Sequence, residues 1–309
     1  MEKRSRIEVL VVGSANTDMV VCADHLPRPG ETVLGGAFMM NQGGKGANQA
    51  VAAARLGAEV GFVCKTGNDM FGIANRQQYA QEGIDTRFVF VDEENPSGVA
   101  LISVDQQAEN TIVVASGANA NLLPLDIARA EEMLDECNII LMQLEVPMAT
   151  VEYVVAEGAK RGKRVVLNPA PAAALSKELL GNLYLITPNE TEASLISGIP
   201  VSGEEGAWAA ARKIREMGVE NVVVTLGSHG ALIYNDRYEE VIPAHRVEAV
   251  DTTAAGDVFN AAVVVALSEG KDLYEAVRFA NRASALSVTR MGAQPSAPYR
   301  SEVDGFDPK

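Results

Sequence analysis

Apolar positions in this chain fall into short strand-like runs and longer helical stretches that alternate over most of its length. Residues 7–13 are almost continuously apolar and end in Gly13, the pattern of a strand buried on both faces of a parallel sheet. Residues 19–23 read as a second strand. Residues 31–40, after the turn Pro27-Arg28-Pro29-Gly30, read as a third. Asn41 to Gln49 then opens a helix over 50–56 that stops at Gly57, and a strand at 60–64 and a helix at 71–81 follow.

The rhythm changes after that. Residues 88–91, Gly98–Val104 and 111–114 are three β-like runs separated by turn residues, with no helix between them. With the two early strands they predict a small antiparallel sheet, a lid built from about 17–42 and 87–116. From Leu123 the alternation returns: a helix, a strand at 139–144, a helix at 150–161, and strands at Arg164–Leu167 and 184–186. A helix at 204–217, a strand at 222–226, a hairpin at 231–242 and helices at 255–267 and 273–289 complete it. Such alternation predicts an α/β fold, a doubly wound and mostly parallel sheet with right-handed crossovers, the lid lying over its carboxyl edge. The expectation is one α/β domain over 1–309.

Composition narrows the function. The 309 residues are 47% hydrophobic and 22% charged, ordinary for a globular protein. A formal net charge of −15 argues against nucleic acid and anionic membrane as partners. No stretch approaches the roughly 20 apolar residues of a membrane span. The basic segment Met1 to Arg6 leads into too short an apolar run for a signal peptide. Cys22, Cys64 and Cys137 are widely spaced and read as reduced thiols, so the expected location is the cytoplasm.

Several chemistries are disfavoured directly. Lys45 is followed by Gly46, so the glycine-rich loop is not a Walker loop, and the first strand lacks the G-x-G-x-x-G of dinucleotide binding. No G-x-S-x-G is present, and His25, His229 and His245 are too scattered for a metal cage.

One stretch organises what remains. Val250-Asp251-Thr252-Thr253-Ala254-Ala255-Gly256-Asp257 precedes a run, Val258 to Leu267, that is apolar on nearly every face. A helix of that kind is buried, so its unsatisfied N-terminal N–H groups and positive dipole end lie inside the protein, a ready anion site. Small residues there let a phosphate approach the backbone. Asp257, beside such an anion, has the placement of a base that takes a proton from an attacking hydroxyl. The plainer alternative is that Asp251 or Asp257 caps the helix.

Other stretches carry similar pairs of readings. Gly43-Gly44-Lys45-Gly46-Ala47-Asn48 enters a helix and would let backbone approach a ligand, with Asn48 on a hydroxyl; an ordinary glycine turn is the alternative. Asn16 and Asp18, just past the first strand, and Glu145, at the end of an apolar strand, stand where open α/β sheets bind ligands. Asn189 and Glu192 share a face if Asn189 starts a helix, which suits either water-mediated Mg²⁺ or a capping pair. Thr225-Leu226-Gly227-Ser228-His229-Gly230 is a phosphate-contacting loop or a plain hairpin turn.

In this order the pieces resemble the ribokinase family of sugar and nucleoside kinases over essentially the whole chain, from Val11 to about Pro298. Asp251 to Asp257 is similar to the family's carboxyl-terminal signature and Gly43 to Gln49 to its amino-terminal one. Asn16-Thr17-Asp18, Gln143-Leu144-Glu145 and Gly292-Ala293-Gln294-Pro295-Ser296 resemble its ribose-phosphorylating members more than its fructose-phosphate or adenosine ones.

The resemblance implies ATP-dependent phosphorylation of D-ribose at the 5-hydroxyl, giving ribose 5-phosphate and ADP. Asp257 would be the base, with the N–H groups of Ala255 and Gly256 as anion hole. Asn16, Asp18, Gly44, Lys45, Gly46, Asn48 and Glu145 would line the ribose pocket. Asn189, Thr225, Gly227, Ser228, Gly230, Gly256 and Asn281 would hold ATP, with Glu192 organising Mg²⁺ through water. A K⁺ site would comprise Asp251, Thr253, Ser287, Arg290, Gly292 and Ser296, several through backbone carbonyls. A homodimer through the lid is implied as well. The alternatives are a kinase of the same fold for 2-deoxyribose, a ketose or a nucleoside, or a catalytically silent sugar-binding regulator. A dinucleotide-dependent oxidoreductase is disfavoured by the missing glycine fingerprint.

Overall fold

The computed structural model describes residues 7–34, 36–107 and 109–307. Its strands are β1 (Val9–Val12), β2 (Asn16–Cys22), β3 (Ala37–Gly43), β4 (Val60–Gly67), β5 (Val89–Asp92), β6 (Gly98–Val104) and β7 (Asn110–Ala115). After them come β8 (Ile139–Met142), β9 (Arg164–Leu167), β10 (Leu185–Ile186), β11 (Asn221–Thr225), β12 (Ala231–Tyr234) and β13 (Glu239–Ile242). The helices are α1 (Lys45–Arg55), α2 (Met70–Gln81), α3 (Pro124–Arg129), α4 (Glu131–Glu136), α5 (Met148–Lys160) and α6 (Lys177–Leu180). The chain continues with α7 (Glu190–Ser197), α8 (Glu204–Glu216), α9 (Ala255–Ser268), α10 (Leu273–Ser287) and α11 (Arg300–Asp304).

Nine strands form one sheet in the order β13-β12-β11-β10-β9-β8-β1-β4-β5, parallel from β11 to β5 and antiparallel across β11-β12-β13. All four residues of β1 are fully buried, and they divide between two cores. Val9 and Val11 pack with α1, α9 and α10, while Leu10 and Val12 pack with α3, α4, α5, α7 and α8 on the other face. Each such side chain contributes roughly 1.5–3 kcal/mol of transfer free energy. That two-sided burial is why β1 lacks an amphipathic pattern. Helix α9 is buried from Asp257 to Leu267, as its all-round apolarity requires. No helix among the described residues is long and apolar enough to cross a membrane.

A second sheet of four strands, β3-β2-β6-β7, differs from the expected lid in three ways. Its central pair, β2 and β6, is parallel, so the sheet is mixed rather than antiparallel. The run at 88–91 does not join it: β5 pairs parallel with β4 at the edge of the large sheet. The third strand begins at Ala37 rather than Glu31 and continues through Asn41 and Gln42 to Gly43, and the helix expected over 50–56 already begins at Lys45. Residue 35, within that expected run, and Met1 to Arg6 lie outside the described residues. Register fixes which side chains share a face. Asp18 stands opposite Asn41, Ala100 and, through Ala100, Val114; the next residue, Met19, stands opposite Met40 and Leu101 on the other face.

Candidate active site

The site forms at the carboxyl ends of β1, β8, β9, β10 and β11, where the starts of α1 and α9 meet. Parallel strands present their carboxyl ends to ligands in sheets of this kind. Ala254, immediately before α9, is the one non-glycine residue with positive φ (59°) among those described. That backbone state is costly for an alanine, about 1–2 kcal/mol, and it turns the chain abruptly into the helix. The N–H of Ala255 closes the turn onto Thr252 O at 3.2 Å. Among the described residues nothing accepts from the N–H of Gly256 or Asp257, so the unsatisfied pair sits one residue later than the expected Ala255 and Gly256. A Cβ built on Gly256 would meet nothing within 4 Å: this glycine faces open space.

Asp257 does not cap α9. Its side chain is 5% exposed and takes two hydrogen bonds from α1, Asn48 Nδ2 to Oδ2 at 2.9 Å and Gln49 Nε2 to Oδ1 at 2.9 Å. Burial pushes its pKa above the ordinary carboxylate value and Glu145 adds to this, against the pull of Lys45 and the two amides. Lys45 is held in its charged form chiefly by Asp257, with Glu145, Glu192 and Asp18 contributing.

The glycines of the first signature are required by close approach. Gly44 has φ 87°, and a Cβ there would lie 2.8 Å from Asn16 N; one on Gly46 would lie 2.5 Å from Ser14 N. This packing brings Lys45 N to 3.0 Å from Glu145 Oε2, which also accepts from Ser14 Oγ at 2.6 Å. Asp18 lies against Gly43, where a side chain would strike its carboxylate. Burial, then Glu145 and Asp257, raise the pKa of Asp18 to about 6. Asn16 Oδ1 accepts from Asn119 Nδ2 at 2.7 Å. Asn16, Asn119 and Glu145 face a cavity of about 360 Å³ that Val114 of the small sheet closes from the other side. Asn16, Asp18, Gly44, Lys45, Gly46, Asn48, Glu145 and Asp257 are therefore brought together.

A separate cavity of about 250 Å³ is lined by Lys45, Asn189, Glu192, Thr225, Ala255, Gly256 and Asp257. It adjoins a larger one of about 540 Å³, bounded by Gly227, Ser228, Gly230, Asn281 and the apolar Phe259, Ala285 and Val288. Thr225, Thr252, Ala255 and Gly256 border both. Asn189 and Glu192 form a capping box at the start of α7, Asn189 N donating to Glu192 Oε2 and Glu192 N to Asn189 Oδ1. The capping alternative is thus realised in residues that also face the cavity. Asn281 spends its amide donor on Ile242 O (3.1 Å) and Pro243 O (3.2 Å), so it braces the wall of the large cavity.

Asp251 ties two loops together, accepting from Thr253 N at 2.9 Å, Thr253 Oγ1 at 2.6 Å and Gly292 N at 2.8 Å. Ser287 and Ser296 are buried and donate to Ser284 O and Ala293 O. The Arg290 guanidinium pairs with Glu302, 2.6 Å away, so any part it has in a cation site falls to its backbone.

Sequence reasoning assigned no role to Gln49, Gln143, Asn168, Thr187 or Asn260. Their amides and hydroxyl form a buried polar chain behind Asp257. Gln49 stands inside the quoted signature, but an uncharged amide gives no sign of its partner until distant segments are placed together.

Known proteins similar to this chain are carbohydrate kinases. Residues 6–300 match the pfkB family carbohydrate kinases. A ribokinase from Haemophilus influenzae is 44% identical over 301 residues, covering 97% of this chain and 98% of that protein. A deoxyribokinase from Salmonella typhi is 39% identical over 301 residues, covering 97% and 98%. The structure of Arabidopsis thaliana ribokinase complexed with ribose and ATP superimposes with a TM-score of 0.89 at 33% identity, covering 98% of this chain and all of that one. With a family match over residues 6–300 and a relative 44% identical over nearly the whole of both chains, the chain belongs to the pfkB, or ribokinase, family of carbohydrate kinases.

Proposed function

We propose that this sugar kinase transfers the γ-phosphoryl group of ATP to the 5-hydroxyl of D-ribose, with Asp257 as the base. The observation that carries the proposal is the position of Asp257. It is a buried carboxylate of raised pKa that lines the phosphate-sized cavity at the orphan N–H groups of α9 and is held by Asn48 and Gln49 of the glycine-loop helix.

Phosphoryl transfer asks for positioning and charge neutralisation more than covalent chemistry. Asn16, Asp18, Asn48 and Glu145 offer acceptors and donors for several hydroxyls of a free pentose. Asp257 takes the proton of the hydroxyl as its oxygen bonds to phosphorus and the bond to the ADP oxygen breaks. The N–H groups of Gly256 and Asp257, at the positive end of α9, face the charge that develops on the phosphoryl oxygens, with Ala255 in the same wall. Lys45 adds a cation beside them. The large cavity, with Phe259 and Val288 opposite Gly227 and Ser228, suits the nucleoside end of ATP. Mg²⁺ bound with ATP would neutralise phosphate charge. Glu192 and Asn189, two oxygen-bearing side chains at the cavity edge, fit an ion that keeps most of its waters.

Three finer readings accompany this one. The loops tied by Asp251 would hold K⁺ with Thr253, Ser287, Arg290, Gly292 and Ser296, largely through carbonyls. The outer face of the small sheet, carrying Phe38, Met40, Leu101 and Val113, would pair with a second copy: these side chains are 49–67% exposed and adjacent in register. The enzyme would work in the cytoplasm as one catalytic unit, the small sheet acting as its lid.

The identity of the Salmonella typhi deoxyribokinase keeps 2-deoxyribose as the second reading. Release of ADP in Mg·ATP, measured across D-ribose, 2-deoxyribose, fructose, fructose 6-phosphate and adenosine, tests the proposal. Preferred turnover of D-ribose supports it, and preferred turnover of another compound moves the substrate. Ribose binding with no turnover would favour a silent regulator.

A further inference from the structure

Gln49 is fully buried, and its amide is saturated. Nε2 donates to Asp257 Oδ1 at 2.9 Å and to Asn168 Oδ1 at 3.1 Å, while Oε1 accepts from Gln143 Nε2 at 2.5 Å. The direction of this amide is determined by its neighbours. Asn168 turns Oδ1 toward Gln49 because its Nδ2 donates to Thr187 O at 3.3 Å. A flipped Gln49 would set its oxygen against two oxygens and its nitrogen against the nitrogen of Gln143. One orientation satisfies all three partners.

We propose that Gln49 is a positioning residue for phosphoryl transfer: it fixes Asp257 Oδ1 from behind, so that Oδ2, the oxygen shared with Asn48, is presented to the sugar hydroxyl. The inference rests on the reading of Asp257 as base. A carboxylate turns easily about its terminal torsion, which is broad and two-fold. Asn48 alone holds one oxygen and leaves the plane free; Gln49 supplies the second point. The oxygens of Asp257 and Asn168 keep the Gln49 amide from turning over, and Gln143 completes the set by donating to its Oε1. The chain Gln143–Gln49–Asp257 thus links the end of β8 to the first turn of α9 through α1.

The test replaces the amide without emptying its space. Gln49→Met lowers kcat about 10- to 100-fold with saturating D-ribose and Mg·ATP, as loss of alignment at a reacting group does. KM for ribose stays within about threefold, because Asn16, Asp18 and Glu145 are untouched. In an Asp257→Asn background the same change has no further effect on residual kcat, since the group that it orients is gone. Gln143→Leu, which removes the donor to Gln49 Oε1 and so loosens the amide, lowers kcat less and in the same direction; it carries the same comparison if Gln49→Met does not fold. Equal losses in both backgrounds, a loss confined to KM, or an unchanged kcat overturn the positioning role. A wild-type protein that turns over no ribose would strike the base reading itself, before any variant is compared.

Discussion

Asn48 Nδ2 lies 2.9 Å from Asp257 Oδ2, joining residues 209 positions apart at the meeting of the first turns of α1 and α9. Asn48 Oδ1 is buried and has no hydrogen-bond partner among the described residues. A buried acceptor left unpaired costs about 1–3 kcal/mol, and on the proposed reading a sugar hydroxyl would pair it. Asn48→Ala is therefore expected to lower kcat/KM for ribose by roughly 10- to 100-fold while leaving KM for ATP unchanged. Steady-state kinetics varying each substrate in turn checks this; equal effects on both substrates would contradict it.

Gly256→Ala should separate folding from function. The added Cβ meets no atom within 4 Å, and φ there is not positive, so the helix gains alanine's propensity, about 0.5–1 kcal/mol. The same methyl projects into the space bordered by both cavities on the phosphate side. Thermal unfolding is expected at an equal or higher temperature, with kcat reduced by about 10²-fold, the scale of a lost oxyanion contact. A destabilised protein with normal kcat would be the opposite of this account.

Asp18 carries a cost in stability. Its folded pKa of about 6 lies above the ordinary 3.8, the shift arising from burial and from Glu145 and Asp257, against Lys45. A carboxyl raised on folding binds its proton more tightly in the folded chain. Its ionised form therefore destabilises the fold above that pKa, and the penalty is relieved as pH falls through 6 toward 3.8. Asp18→Asn should raise Tm at pH 8 and lose that advantage near pH 4, while weakening ribose binding. A variant less stable than the wild type at pH 8 would refute the assignment of strain to this carboxylate.

The proposed cation site makes its own prediction. With K⁺ replaced by choline at equal ionic strength, wild-type turnover is expected to fall roughly 5-fold or more, the range of a modest coupling between sites. Asp251→Asn removes the charge and keeps an acceptor for only one of Thr253 N and Gly292 N, which bond different carboxylate oxygens, and should abolish the difference between the two salts. Persistence of K⁺ stimulation in that variant would place the cation elsewhere.

Much of this was legible in the sequence because it is local. The period and length of apolar runs gave β1, β4, β8, α5, α9 and α10 to within a few residues, and glycines of forced close approach marked the first signature. What was not legible depends on pairing. Residues 89–91, Val-Phe-Val, have the same strand pattern in either sheet, so sequence could not say that β5 pairs with β4 rather than with the lid. The parallel register of β2 on β6 joins segments separated by 75 or more residues and is equally invisible. Asp257 was legible because it is a charge placed before an apolar helix; Gln49 was not, because its meaning lies in Asn168 and Gln143.

The most direct test of the central claim is Asp257→Asn, with kcat for D-ribose in Mg·ATP and the Kd for ribose measured on the same protein. If Asp257 is the base, kcat falls by about 10²-fold or more while ribose still binds with near wild-type affinity. Near-normal kcat in the variant would remove Asp257 from that role.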